Sequence, residues 1–171
     1  MLLLMVAGHE TSANLIANGT LALLRERERW ESVCARPGSL PGVIEELLRF
    51  DGPGTMASLR FTTTEVEIGG TSIPAGEIVL IGLSSANRDP ARFPDPDRLD
   101  LGRDARGHLA FGHGVHFCIG AQLARLEAEI AFRALVRRYP GLRLAAAPDD
   151  LRWRPSLLFR GLRALPVALS G

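Results

Sequence analysis

Phe111-Gly112-His113-Gly114-Val115-His116-Phe117-Cys118-Ile119-Gly120 decides how this chain is read. One cysteine stands in a glycine-punctuated loop, and a long amphipathic helical pattern follows at once. Glycines at 112, 114 and 120 permit positive φ or very close backbone approach. The cysteine falls just before a helix start, where unpaired amide N–H groups and the macrodipole favour an anion. Thiolate is the metal-binding form of cysteine. The loop is suited to presenting one sulfur to a flat partner that needs room on one side.

A lone cysteine near a helix start is most often a small buried hydrophobe. An aromatic residue, three glycines and a histidine at fixed offsets weigh against that here. The spacing Phe111-x-x-Gly114-x-His116-x-Cys118-x-Gly120 resembles, position for position, the haem-binding motif of the cytochrome P-450 superfamily. The resemblance implies that Cys118, as thiolate, is the axial ligand of a haem b iron. It also places Phe111, Gly112 and Gly120 against that cofactor, with Phe111 packed near the sulfur, excluding water and helping to set the iron potential.

Working outward, the composition is that of an ordinary globular chain. Its 171 residues are 46% hydrophobic with a net charge of +1, which points to no polyanionic partner. All 20 basic residues are arginine, dispersed rather than striped, so nucleic-acid binding is not expected. Cys34 and Cys118 make no disulfide framework, and a reducing cytoplasm fits them best. Cys34 reads as an incidental thiol. The apolar start, Met1 to Ala7, is too short to span a bilayer and reads as the middle of a core helix. No membrane partner is expected.

Apolar spacing at Leu15, Ile16, Leu21, Leu23 and Leu24 predicts one long helix over residues 2 to about 29. Pro41 suits the first turn of a short helix running to about Arg49. Strands are expected at Ser58–Thr62, Val66–Ile68 and Glu77–Ile81, with Gly69-Gly70 and Pro74-Ala75-Gly76 as turns. Residues 84–106 read as a proline-rich meander. A second long helix is expected at about Ile119–Arg138, with apolar residues at Leu123, Leu126, Ile130 and Leu135. The tail, 142–169, alternates β-like pieces with turns. The expected class is mainly α with a small β portion.

Ala7-Gly8-His9-Glu10-Thr11 lies mid-helix, where glycine and threonine have poor propensity. Threonine can bond back to the carbonyl one turn earlier, and small residues let something large approach. Taken alone, this is a helix imperfection. It also resembles the family's oxygen-activation motif, which implies that Glu10 and Thr11 help deliver protons to dioxygen. Glu46-Leu47-Leu48-Arg49 sets an acid and an arginine at i, i+3, by default an exposed pair of small value. Apolar Ile44, Leu47 and Leu48 hint at burial instead. The resemblance makes Glu46 and Arg49 two members of a buried structural triad, completed by Arg103, with Arg98 as the rival.

Arg60 and His116 are hydrogen-bond donors suited to carboxylates, and the resemblance implies that they hold the haem propionates. By the same carry-over, substrate contacts come from Leu4, Ala7, Gly8, Met56, Ala57, and Leu157 or Leu158. Asn87-Arg88-Asp89-Pro90 is read as scaffolding. Residues 1–171 are expected to form a single incomplete domain, the C-terminal part of a longer haem-thiolate monooxygenase, with no second domain. The implied reaction inserts one atom of O2 into a small lipophilic substrate. Electrons come from NAD(P)H through a ferredoxin or flavoprotein, which docks around Cys118 and Arg125. Two alternatives stand beside this: a non-catalytic remnant lacking a complete pocket, and a peroxide-using haem-thiolate enzyme.

Overall fold

A computed structural model describes residues 2–169, with side chains from Ala7 onward. Five α-helices and three small two-stranded antiparallel sheets follow the chain among these residues, matching the expected class. Helix α1 (Leu2–Leu24) sends Leu15, Leu21, Ala22 and Leu23 of its second half into the core. Ala7, Gly8 and His9 stand exposed, and Glu10, Thr11 and Ser12 are half-buried.

The single helix predicted to about residue 29 is two helices. α1 ends at Leu24, and α2 (Arg27–Ala35) begins after a turn in which Glu26 is extended, at φ −127° and ψ 117°. Tertiary packing accounts for the bend. It carries Trp30 and Val33 into the core, where Trp30 Nε1 donates to Pro140 O at 3.0 Å. Cys34 rides on the same helix and packs half-buried against the core, and burial pushes its thiol pKa up.

A short 3-10 turn, Pro37–Ser39, leads into α3 (Leu40–Asp51), which is longer than predicted. Leu40, Val43, Ile44, Leu47 and Leu48 recur at the three- and four-residue spacing of one helix face, and all are buried. They meet α1 and α5 (Ala121–Arg138), whose contributions are Ala128, Phe132 and Val136. This is not the stripe that the sequence made conspicuous. Leu123, Leu126 and Ile130 are exposed, while Leu135 of the same predicted set packs half-buried against the core beside the face of Ala121, Ala128, Phe132 and Val136.

Between α3 and α5 the chain forms β1 (Arg60–Phe61), β2 (Val66–Ile68), β3 (Thr71–Ile73) and β4 (Ile78–Val79). β1 pairs with β4, Arg60 opposite Val79, and β2 pairs with β3, Val66 opposite Ile73. β3 was not predicted: three residues behind Gly69-Gly70 carry too little alternation to stand out from the turn. A four-residue helix, α4 (Leu83–Ala86), precedes the meander. In the tail β5 (Arg143–Leu144) pairs with β6 (Val167–Ala168). No helix among the described residues is long and apolar enough to cross a membrane.

Candidate functional site

The cysteine loop owes its shape to backbone conformation first. Gly112 and Gly114 have φ of 72° and 71°, a region that residues bearing a Cβ rarely adopt. Gly120 does not share this; it is the N-cap of α5 at φ −87°. A 3-10 turn, Gly114–His116, lifts Val115 and His116 outward. The loop closes where Cys118 N–H donates to Phe111 O at 2.9 Å, and Cys118 O in turn accepts from Ala121 N at 3.2 Å as α5 begins. Cys118 is exposed and free.

Around it stand apolar side chains with nothing packed on them, Val115 at 97% exposure and Ile119 at 93%. Among the described residues no three His, Cys, Asp or Glu side chains gather as a metal-ligand set. A metal held by Cys118 would have to bring its other ligands with it, and the exposed apolar side chains beside the sulfur suit a group with an apolar body. Haem meets both conditions, and the residues present fit it.

Glu46 and Arg49 lie on α3 facing away from solvent, both side chains wholly buried. Arg49 Nε donates to Glu46 Oε2 at 2.7 Å and Nη2 to Oε1 at 2.8 Å. Its remaining donors reach the carbonyls of Asn87 and Pro96, both at 2.9 Å, and Arg98 at 3.3 Å. Arg103 Nε donates to Glu46 Oε1 at 3.2 Å, and so does Asp100 N at 3.0 Å. The third side chain of the network is Arg103. Arg98 contributes only a backbone oxygen, and its own side chain is exposed.

Sequence reading passed over the neighbouring acid. Glu45, next to Glu46 and so about a quarter-turn round the helix, accepts Arg125 in bidentate fashion, Nε to Oε1 at 2.6 Å and Nη2 to Oε2 at 2.9 Å. His108 Nε2 lies 3.1 Å from Glu45 Oε2. Burial alone would raise the Glu45 pKa, but hydrogen bonds from Arg125 and then His108 hold it down to about 2. Arg125, expected at a docking face, is thus already engaged: it pairs with Glu45 and its guanidinium lies 4.6 Å over the Phe111 ring. The double acid Glu45-Glu46, ahead of an arginine three residues on, was the available signal.

On α1, Thr11 Oγ1 donates to Ala7 O at 2.6 Å, the back-bond that its position allows. Arg154 of the tail reaches Glu10, Nη1 to Oε1, at 3.3 Å. Ser12 Oγ donates to Glu127 Oε2 at 2.5 Å and ties α1 to α5. The tail is also joined to the segment after α3: Thr55 N donates to Leu158 O at 3.0 Å and Thr55 Oγ1 to Leu157 O at 2.6 Å. Ala57 N donates to Ile81 O at 2.9 Å. Met56, Ala57 and Leu157 thus lie on neighbouring segments, while Ala7 and Gly8 are exposed on α1. Leu4 lies outside the residues whose side chains are described. Arg60 Nη1 donates to Ser58 Oγ at 2.7 Å and to the carbonyls of Ser58 and Leu59. His116 is exposed at the end of the 3-10 turn.

The cytochrome P450 family model matches residues 39–149, a span that holds both carboxylate networks and the cysteine loop. Cytochrome P450 107B1 of Saccharopolyspora erythraea is 54% identical over 165 residues, covering 96% of this chain and 41% of its own length. Cytochrome P450 monooxygenase PikC of Streptomyces venezuelae is likewise 54% identical, with 96% and 40% covered. The solved structure of the tirandamycin C-bound P450 monooxygenase TamI superposes with a TM-score of 0.96 at 51% identity, over 98% of this chain and 42% of that one. This chain therefore spans about two fifths of the length of the relatives it matches. With the cysteine loop, both α3 networks and nearly every residue of the chain accounted for by these matches, the chain belongs to the cytochrome P450 family.

Proposed function

We propose that this chain is the haem-thiolate portion of a monooxygenase that inserts one atom of O2 into a lipophilic organic substrate. One observation carries the reading. The exposed Cys118 sits on a loop locked by two positive-φ glycines and a bond to Phe111, ringed by uncovered apolar side chains. Residues 1–171 then form a single domain portion, the C-terminal part of the family's fold.

Bound at this loop, haem b supplies dioxygen binding and activation. The protein's own residues do the rest. Cys118 would offer its sulfur to the haem iron, and Phe111, Gly112 and Gly120 would shape the loop round it. Arg60 and His116 would hold the propionates through charge-assisted hydrogen bonds. Thr11 spends its proton on Ala7 O, so its lone pairs remain to accept a proton-bearing neighbour. Glu10, held by Arg154, is the adjacent carboxylate through which a proton is passed inward. Ala7, Gly8, Met56, Ala57 and Leu157 make an apolar lining suited to a lipophilic substrate, and relatives named 6-deoxyerythronolide B hydroxylase and vitamin D(3) 25-hydroxylase support that reading. Electrons come from NAD(P)H through a ferredoxin or flavoprotein, and a reducing cytoplasm keeps the Cys118 thiol free.

Spectra of the chain with added haem, reduced under carbon monoxide, test the reading. The expected result is the red-shifted thiolate Soret band, lost in Cys118→Ala. No such band in the parent chain, or its persistence in Cys118→Ala, overturns it.

A further inference from the structure

Both ends of the cysteine loop are bonded to the same carboxylate. His108 stands just before the loop, Arg125 just after it on the first turns of α5, and each meets Glu45 of α3. The His108 side chain is 3% exposed and that of Glu45 23%. The imidazole accepts Ala110 N–H at Nδ1, 3.1 Å away, which leaves its proton on Nε2, directed at Glu45. This arrangement satisfies both ring nitrogens and both carboxylate oxygens within one cluster.

The cluster converges on Phe111. Its ring lies under the Arg125 guanidinium at 4.6 Å and 6.0 Å from the His108 ring. The amide immediately before it is held by His108 Nδ1, and its own carbonyl receives the Cys118 N–H. Ring and carbonyl of Phe111 are thus positioned from the two ends of the loop at once. Glu46, one residue on, has no part in this: its donors come from Arg49, Asp100 and Arg103, and it ties down the meander.

We propose that Glu45, with His108 and Arg125, is a positioning network that clamps both ends of the cysteine loop and sets the placement of Phe111, and through it of Cys118. Glu45 is bonded to Arg125 and His108 and acts through them. Two adjacent acids on α3 then have separate duties, one for the meander and one for the ligand loop. The clamp itself is independent of the haem-thiolate reading; its effect on an iron–sulfur bond rests on that reading.

Backbone amide hydrogen exchange on the cofactor-free chain tests the clamp directly. Glu45→Gln keeps the side-chain shape and removes the charge that makes its hydrogen bonds strong. Exchange at the Ala110 and Cys118 amides is expected to accelerate by about tenfold or more, the loss of one charge-assisted bond, while the Leu48 amide on α3 is unchanged. Arg125→Lys keeps the charge but removes the fork and the stacking on Phe111. It is expected to speed Cys118 exchange alone, and it decides the matter should Glu45→Gln fail to fold. Unchanged Cys118 exchange in the folded variants overturns the proposal. Haem-loaded samples supply the second arm: a shifted iron reduction potential in Glu45→Gln, against an unshifted one in Arg98→Ala. Amides that respond in a chain that shows no thiolate band with haem leave the clamp standing and overturn the function. A thiolate band with an unmoved potential and unmoved amides does the reverse.

Discussion

Glu46 accepts four hydrogen bonds in a site closed to solvent, and Arg49 supplies two of them. A buried ion pair is weak evidence for stability as a whole, but removal of one partner strands the other charge away from water. Arg49→Ala is therefore expected to cost about 3–5 kcal/mol, since Arg103 alone gives Glu46 a single bond at 3.2 Å. Arg98→Ala removes an exposed side chain and leaves the backbone oxygen that the network uses, so its expected cost is within about 0.5 kcal/mol. Urea denaturation of the two variants checks both, and comparable losses would show that Arg98 matters through its side chain. Sequence alone supplied the pair Glu46–Arg49, because i, i+3 spacing on a helix is a local property. Arg103 was expected over Arg98 through the family resemblance, and Arg103 Nε does reach Glu46; residue pattern alone says little about direction in an irregular meander.

Among the elements, α3 is the common anchor. Its apolar stripe packs on α1 and α5, Glu46 holds the meander, and Glu45 meets α5 and the cysteine loop. Glu45 has a folded-state pKa of about 2 against an ordinary 4.5. A depressed carboxyl stabilises the fold above its unfolded value, and that contribution disappears as pH falls through the folded one. The stability gap between the parent chain and Glu45→Gln is expected to be full above about pH 4.5, to shrink as the solution is acidified, and to close toward pH 2. Urea midpoints of both proteins between pH 2 and 6 measure it. A gap that does not vary with pH would assign the effect to shape rather than charge. This network was hard to see in the sequence because its members lie 63 and 80 residues apart from Glu45 along the chain. The division of the first predicted helix at Arg25–Glu26 has a similar origin. Nothing local forbids helix there, and the bend is imposed by the place that Trp30 takes in the core.

Across the whole molecule, α5 carries apolar residues on two faces. Ala121, Ala128, Phe132 and Val136 are in the core, while Leu123, Leu126 and Ile130, with Ile119 just before them, form an uncovered stripe at helical spacing. Ala7, Gly8 and His9 of α1 are exposed too. Exposed contiguous apolar surface of this kind binds apolar dyes and favours association. The 171-residue chain is expected to enhance the fluorescence of an anilinonaphthalene dye in its folded state, and Leu126→Glu with Ile130→Glu to lower that signal without lowering helix content. A folded chain that leaves the dye dark would show that the stripe is covered.

The amino-acid sequence by itself determined the ligand loop, the acid–alcohol pair on the first helix and the acid–arginine pair on the third. Each is a short local pattern whose role came from the family resemblance rather than from residue type and spacing, and the long helical patterns were enough for the mainly helical class. Only the tertiary structure decided which face of α5 is buried, where the first helix bends, and that Glu45 joins α3 to both ends of the cysteine loop. These are long-range choices. They are made by close packing and by the need to pair every buried charge, and neither requirement leaves a periodic trace along the chain.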